Sequence, residues 1–344
     1  MHFCAGRGAD PLRLALPLLA EWLTAGFDQG LAASSINTMR SSIVGVWEVL
    51  HGERKLAKHP VLSALVAAAR IRRPTTPRYD SVWDIGLVVR YWLAHPPAAD
   101  DDLHLVRLRA LTLLLAATFQ RSSDIARIVD DSWAAVDYVD DDTPRRAASF
   151  RVRGPKEHRL RVGALSDPHW LPLLPADHEL FAACAARAVF TYRARVAALR
   201  CPLSGEATFL SEKRRRTGPT MHFFPLGAKR VSSVAKSFIH DELGVDRAFT
   251  GNSFRHAASS GALRAGVTVE DILAKGRWRS YSTFKLWYER AASLARNPAA
   301  AAGPADPPLP VFVPLRRDAS RPPGRAPGAP ARGRGRGRGR PGGV

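Results

Sequence analysis

Three residues in the stretch from Gly251 to Arg290 have side chains suited to chemistry on phosphorus: Arg255, Trp278 and Tyr288, 23 and then 10 residues apart. A guanidinium can clamp a phosphate, an indole N–H can donate one hydrogen bond, and a phenolic hydroxyl can attack phosphorus. Together they suit phosphoryl transfer on a nucleic-acid backbone. Taken singly, Tyr288 reads better as a core aromatic of an amphipathic helix, and Trp278 equally well as packing. The pattern places them on helix, turn and helix. Thr250-Gly251-Asn252-Ser253 caps a helix through Arg255 to about Ala265, Thr268 caps a short one with Val269, Ile272 and Leu273, and Gly276-Arg277-Trp278 turns the chain. Ser282-Thr283 then caps the helix carrying Phe284, Trp287 and Tyr288. Tyr281 falls in the turn before that helix, where it contacts structure or DNA only.

Upstream elements must supply the partners. Residues 103–119 are an apolar helix that stops at Gln120-Arg121-Ser122-Ser123-Asp124. An arginine at the end of a buried helix must meet an acid or face a cleft. Asp124 offers the first outcome and a phosphate the second, with Ser122 or Ser123 capping the next short helix. Residues 132–139 read as a strand. Residues 149–153 and 158–162 alternate as strands around the turn composition Gly154-Pro155-Lys156-Glu157. This predicts a hairpin with Lys156 at its tip and Arg151, Arg153, Arg159 and Arg161 on its outer face, a cluster that favours nucleic acid over a merely solvated charge.

The rest of the chain reads as follows. Residues 11–26 are predicted helical, ending at Gly26. A second helix opens at Ser34 or Ser35, contains Arg40, and carries Ile36, Ile43, Val46 and Leu50 on one side. His59-Pro60 starts a third that ends near Arg70. Arg72, Arg73 and Arg78 flank a proline-broken linker that can cross a phosphate backbone, although a solvated loop is the simpler reading. Trp83, Ile85, Val88, Val89 and Trp92 form a helical face. Residues 175–199 are predicted as a helix with Phe181, Val189 and Tyr192. Lys213 and Arg214 open a basic loop, and residues 228–242 form an amphipathic helix. These elements divide the chain into a helical unit (1–72), a linker (73–80), a mixed α/β unit (81–297) and a Pro/Gly/Arg-rich tail (298–344). The fold class is mainly α with a small antiparallel β-sheet.

The formal charge of +20 over 344 residues favours a polyanionic partner. Residues 296–344 contribute +8 of it, from ten arginines against two aspartates. The tail lacks the apolar content to order itself and reads as a cationic arm for nucleic acid. Cys4, Cys184 and Cys201 have neither zinc-like spacing nor an even count, so reduced thiols and no metal site are expected. Arg13 and Glu21 interrupt the apolar run at 11–23, and no stretch approaches ~20 apolar residues, so neither a signal peptide nor a membrane span is expected.

Arg121 with Asp124, Lys156, Asn252-x-x-Arg255, Trp278 and Tyr288 together resemble the tyrosine recombinase (phage integrase) family over roughly residues 30–290. Three blocks are similar to the integrases of DIRS-type retrotransposons. They are Ser35-Ile36-Asn37-Thr38 with Arg40-Ser41, Pro77-Arg78-Tyr79-Asp80 with Trp83-Asp84, and Trp278-Arg279-Ser280 with Ser282-Thr283-Phe284 and Tyr288. The resemblance implies a helical core-binding domain, for which residues 1–72 are short, joined to an α/β catalytic domain. It implies DNA strand breakage and rejoining by a topoisomerase-IB-like transesterification, for integration of a mobile element. Tyr288 would attack the scissile phosphate to form a 3′-phosphotyrosyl link. Arg121 and Arg255 would bind the non-bridging oxygens, Lys156 would protonate the leaving 5′-oxygen, and Trp278 would support the phosphate. The resemblance implies no metal or other cofactor, no small-molecule substrate and no membrane. It implies double-stranded DNA as partner, two or four protomers on it, and a nuclear location in a eukaryotic host, otherwise cytoplasmic.

One position departs from the family pattern. Asn252 stands where the family most often has His, and an amide cannot take a proton near neutral pH. His256 follows Arg255, but on a helix projects about 100° away from it. The rival expectations are therefore a catalytically weak or inactive DNA-binding relative, and an RNA-associated protein driven by the Arg-Gly tail.

Overall fold

The computed structural model describes residues 2–10, 16–51, 56–74, 81–140, 143–155, 163–214, 221–278 and 281–285, with the backbone alone at 2, 51, 57, 138–140, 143–144, 214 and 283. The chain divides into two compact units, Met1–Arg78 and Tyr79–Val344.

The first unit is helical: α1 (His2–Ala5), α2 (Leu16–Asp28), α3 (Ala33–His51) and α4 (Pro60–Arg72). Leu19, Leu23, Ile36, Val44, Leu62 and Val66 make its core. Gly26 does not end α2 as expected. It is buried inside the helix because Met39 and Ile36 press on it, 3.0 and 3.2 Å from where a Cβ would stand, and the chain leaves at Gly30, φ +93°. The N-terminus of α3 precedes Ser34, and its buried stripe turns towards Val44, leaving Val46 and Leu50 exposed. His59 caps α4 as Nδ1 accepts from the Val61 amide at 3.3 Å, with Pro60 at the first helical position. α4 runs two residues past the expected end at Arg70, to Arg72.

The second unit is built on α6 (Leu103–Thr118), which follows α5 (Gly86–Ala94). Its apolar residues run all round the helix, and twelve of its sixteen residues are buried, so it is a central rod rather than a surface helix. Asp102 caps its start by accepting from the Leu105 amide at 2.7 Å. The Trp83, Ile85, Val88, Val89 and Trp92 face is fully buried in the same core. The buried indoles find partners: Trp92 Nε1 donates to Thr112 Oγ1 at 2.9 Å and Trp83 Nε1 to Ser253 Oγ at 2.8 Å.

After α7 (Ser122–Ile125), a three-stranded antiparallel sheet runs in the order β1 (Ala134–Asp140), β2 (Thr143–Phe150), β3 (His169–Pro172). The register pairs Ala134 with Ser149 and Asp140 with Thr143, and across the sheet Phe150 with His169. The expected hairpin around 154–157 has a different register. Gly154 N donates to Ala164 O at 2.7 Å and Ser166 N to Val152 O at 2.8 Å, so 152–154 pair with 164–166 rather than with 158–162. The expected turn at Lys156-Glu157 lies outside the described residues.

Residues 175–199 are not one helix. A short 3-10 turn at Phe181–Ala183 precedes α8 (Ala185–Val196), because the preceding segment turns at Pro175 and His178, whose carbonyls accept from His178 and Phe181. The expected basic loop is partly strand: β4 (Leu210–Arg214) pairs with β5 (Met221–Pro225). Next come α9 (Ala228–Ser237), continued by a π-helical segment Phe238–Glu242, then α10 (Ser253–Arg264), α11 (Val269–Gly276) and α12 (Tyr281–Phe284). Tyr281 therefore opens a helix rather than preceding one. The protein is mainly helical with small antiparallel sheets. No helix among the described residues is long and apolar enough to cross a membrane.

Candidate nucleic-acid interface

Arg255 is the pivot of the site. It sits in the first turn of α10 and is only 5% exposed. Nη1 donates to Phe119 O and Nη2 to Gly276 O, each at 2.6 Å, and the guanidinium lies 3.9 Å from the Trp278 ring centroid. A buried cation held this way is oriented by rigid elements, because its acceptors are the carbonyls ending α6 and α11.

Both carbonyls sit beside unusual backbone. Phe119 and Arg277 are the two non-glycine residues with positive φ among those described, at 56° and 53°. Left-handed conformations cost an L-residue roughly 1–2 kcal/mol. Phe119 ends α6 in that conformation, and Arg277 ends α11. Strain of this kind, on both sides of one guanidinium, is stored where a fixed geometry is needed. Gly276 completes the arrangement. A Cβ there would stand 1.8 Å from the Trp278 ring, so only glycine lets the indole fold back over Arg255. Phe284 closes on the same indole edge-to-face at 5.4 Å.

The cleft beside Arg255 has a volume of about 580 Å³ and is lined by Gln120, Arg121, Ser122, Ser123, Ala228, Lys229, Ser232, Gly251, Asn252 and His256 as well. Three cations, one imidazole, three serines and two amides line it, and no carboxylate does among the described residues. α9 approaches so closely that a Cβ on Gly251 would stand 2.2 Å from Ser232 O. Arg121 stands just before α7, one-third exposed, with Nη1 3.5 Å from Asp124 Oδ2. Asp124 is nearer to Arg127, at 2.9 Å, so it orients Arg121 from behind without burying it. The Ser122 hydroxyl is buried and meets no partner among the described residues. Neither Ser122 nor Ser123 is the N-cap of α7; Arg121 holds that place without a side-chain bond. Asn252 is exposed on the cleft and likewise makes no side-chain cap to α10.

A buried polar layer backs the cleft. Gln120 Nε2 reaches Thr118 O, Lys275 O and His169 Nδ1 at 3.3–3.4 Å. His169 stacks on Phe150 at 5.0 Å. Burial first, then the charges of Arg277 and Lys275, lower its pKa to about 3, so it is a neutral hydrogen-bonding group. The Lys275 ammonium lies 5.6 Å from the Phe119 ring centroid, and burial lowers its pKa to about 8.

The structure thus brings Arg121, Asn252 and Arg255 to one cleft and stacks Trp278 on Arg255. Lys156 and Tyr288 lie outside the described residues, as do Arg78, Arg159 and Arg161. Arg40 is half-buried in α3, and Arg72 is exposed at the end of α4. Arg73 is occupied internally: Nη1 donates to Phe27 O at 2.5 Å and Leu31 O at 3.1 Å while the group stacks on Phe27, so it braces the first unit instead of reaching outward. Arg151 is exposed, and Arg153 is ion-paired with Glu206. Lys213 lies over the Phe224 ring at 5.7 Å, and Arg214 ends β4. Lys229 and Ser232 were not anticipated, and His256 shares the cleft despite its angular offset from Arg255. The signal for Lys229 was present in Gly227-Ala228-Lys229-Arg230, a helix start with basic residues in its first turn.

No protein-family model matches this chain, and no curated protein matches it at a significant level. Solved structures do. The chain is similar to the Tn1549 transposon integrase in complex with transposon right-end DNA, at 13% identity over 84% of this chain and 86% of that one, TM-score 0.46. It is similar to the XerH site-specific recombinase bound to a palindromic difH substrate, at 10% identity over 84% and 72%, TM-score 0.47. It is also similar to a lambda integrase dimer bound to a COC′ core site, at 16% identity over 83% and 82%, TM-score 0.42. These are integrases and recombinases, the class of protein that the sequence motifs resemble.

Proposed function

We propose that this protein is a tyrosine recombinase that cuts and rejoins double-stranded DNA. The observation that carries it is the cationic cleft around Arg255, free of carboxylates among its described lining. Such a cleft suits one phosphodiester: Arg121 and Arg255 on the non-bridging oxygens, Lys229 adding charge, Asn252 donating a hydrogen bond. Tyr288 Oη attacks phosphorus and the bond to the 5′-oxygen breaks. The product is a 3′-phosphotyrosyl link and a free 5′-hydroxyl. Lys156 gives the leaving oxygen its proton. The phenolic proton passes to a base, and His256 is the titratable group on the cleft that can take it, since Asn252 cannot. Resealing runs the steps backwards, and the phosphotyrosyl bond conserves the energy for it. The same resemblance supports integration of a mobile element, with two or four protomers on the DNA, in the nucleus of a eukaryotic host.

Asn252 favours one second reading, a DNA-binding relative without catalysis. A positioned acid–base group is worth ~10²–10⁴ in rate. The test is incubation with nicked duplexes carrying a bridging phosphorothiolate, drawn from DNA flanking the coding sequence, followed by a denaturing gel. A covalent protein–DNA band with wild type and none with Tyr288→Phe supports the recombinase. Retention of DNA with no covalent band, in wild type and in Asn252→His alike, supports the binding protein instead.

A further inference from the structure

Behind the cleft, the guanidinium of Arg127 holds three acceptors at once. Nε donates to Ser123 O at 2.8 Å, Nη1 to Gly154 O at 2.7 Å and Nη2 to Asp124 Oδ1 at 2.9 Å. The Arg127 carbonyl in turn accepts from Arg153 N at 2.9 Å. Three bonds from one planar fork fix a side chain that is 42% exposed, and they tie α7 to the segment ending at Gly154. Neither Arg127 nor Asp124 is among the residues lining the cleft, whereas Arg121 is.

The carboxylate of Asp124 is 3% exposed, and a buried carboxylate calls for a cation and for hydrogen bonds. Two arginines flank it, three residues away on either side. Arg127 takes Oδ1 at 2.9 Å. Arg121 Nη1 stands 3.5 Å from Oδ2, outside the ~2.7–3.2 Å of a well-formed bond. Asp124 is thus held chiefly from the side away from the cleft. It attracts Arg121 enough to orient it, without drawing it into a short internal pair. Loss of the Arg127 charge would leave this buried carboxylate to close on Arg121, and a phosphate would then have to compete with Asp124 for the same guanidinium.

We propose that Arg127 is a positioning residue: by engaging Asp124 it keeps Arg121 turned to the phosphate in the cleft. The inference rests on the recombinase reading of that cleft and adds to it a residue that acts only through another.

The test is single-turnover adduct formation by the full chain on a nicked duplex with an ordinary phosphodiester, across a range of DNA concentrations. Arg127→Met should lower the maximal adduct rate about tenfold or more, with the half-saturating DNA concentration within about twofold of wild type, as expected for a misplaced catalytic group. Adding Asp124→Asn to Arg127→Met removes the competing carboxylate and should recover most of the lost rate. In an Arg121→Ala background, Arg127→Met should cost nothing further. Urea midpoints establish that each variant is folded; should Arg127→Met not fold, Arg127→Gln takes its place with the same expectations. An unchanged rate, or a loss that Asp124→Asn does not relieve, would overturn the assignment. So would a rise in half-saturating DNA concentration alone, which marks a direct contact of Arg127 with the DNA backbone. Recovery of Arg127→Met on a bridging phosphorothiolate, whose leaving thiolate needs no proton, would place the effect at the leaving oxygen and overturn it as well. Absence of any adduct with wild type, by contrast, would overturn the recombinase reading itself and this inference with it.

Discussion

Arg255 and Arg109 make an instructive pair. Each is 5% exposed, each lies over an indole, and each donates at 2.6 Å to a backbone carbonyl. Their surroundings differ. Arg255 is anchored by two carbonyls on strained helix ends and opens on a cleft of about 580 Å³ with cations and hydroxyls around it. Arg109 has one carbonyl, a distant acid and a smaller cavity with aromatic walls. Burying a guanidinium calls for an anion in both places. The walls differ accordingly: open and multiply cationic around Arg255, narrow and largely apolar around Arg109.

That contrast can be broken in graded ways. The largest effect is expected at Arg255. On the proposed mechanism, replacement by Ala removes a preorganised donor to the phosphate and should cut the rate of covalent adduct formation by ~10²–10³; an adduct time course checks it. Gly276→Ala tests the brace. Its Cβ would collide with Trp278 and push the indole off Arg255, costing ~1–3 kcal/mol of stability as an overpacked site does, read from urea denaturation midpoints.

A smaller effect comes from the layer behind the cleft. Burial holds the folded pKa of His169 at about 3, against the ordinary imidazole value of 6.5. The unfolded chain therefore takes up the proton first. Stability is complete above pH 6.5, falls as the pH drops through that window, and levels off below about 3. His169→Gln should flatten this part of the profile by about 1–2 kcal/mol once local relaxation is allowed for, measured by denaturation at stepped pH. The smallest effect is at Lys229. Its loss to Ala should reduce the slope of log affinity against log salt by about one, with little change in sequence preference, in a filter-binding titration.

Much of the scaffold was legible in the sequence, for physical reasons visible in particular residues. Trp83, Ile85, Val88, Val89 and Trp92 keep helical spacing and are all buried. The apolar run of α6 ends at Phe119, placing Arg121 on the cleft as its composition suggested. Thr268 caps α11 as expected, accepting from Asp271 N at 3.2 Å. What the sequence hid was set by tertiary contacts. Gly26 looked like a helix stop but serves close packing against Met39. β3 is four residues long and β4 carries charge, so neither offers a clear alternation. Arg73 looked like a free cation and is held by carbonyls from α2 and just beyond it. His256 and Lys229 reach the cleft from different helices, a proximity that no spacing along the chain encodes.

The central claim is that Tyr288 attacks a DNA phosphate bound at Arg255. The most direct measurement is to trap wild-type protein on a nicked phosphorothiolate duplex, digest it, and identify the DNA-linked peptide by mass spectrometry. The account predicts a nucleotide remnant on the peptide containing Tyr288 and none on Tyr281. A remnant on Tyr281, or on no tyrosine while DNA stays bound, would contradict it.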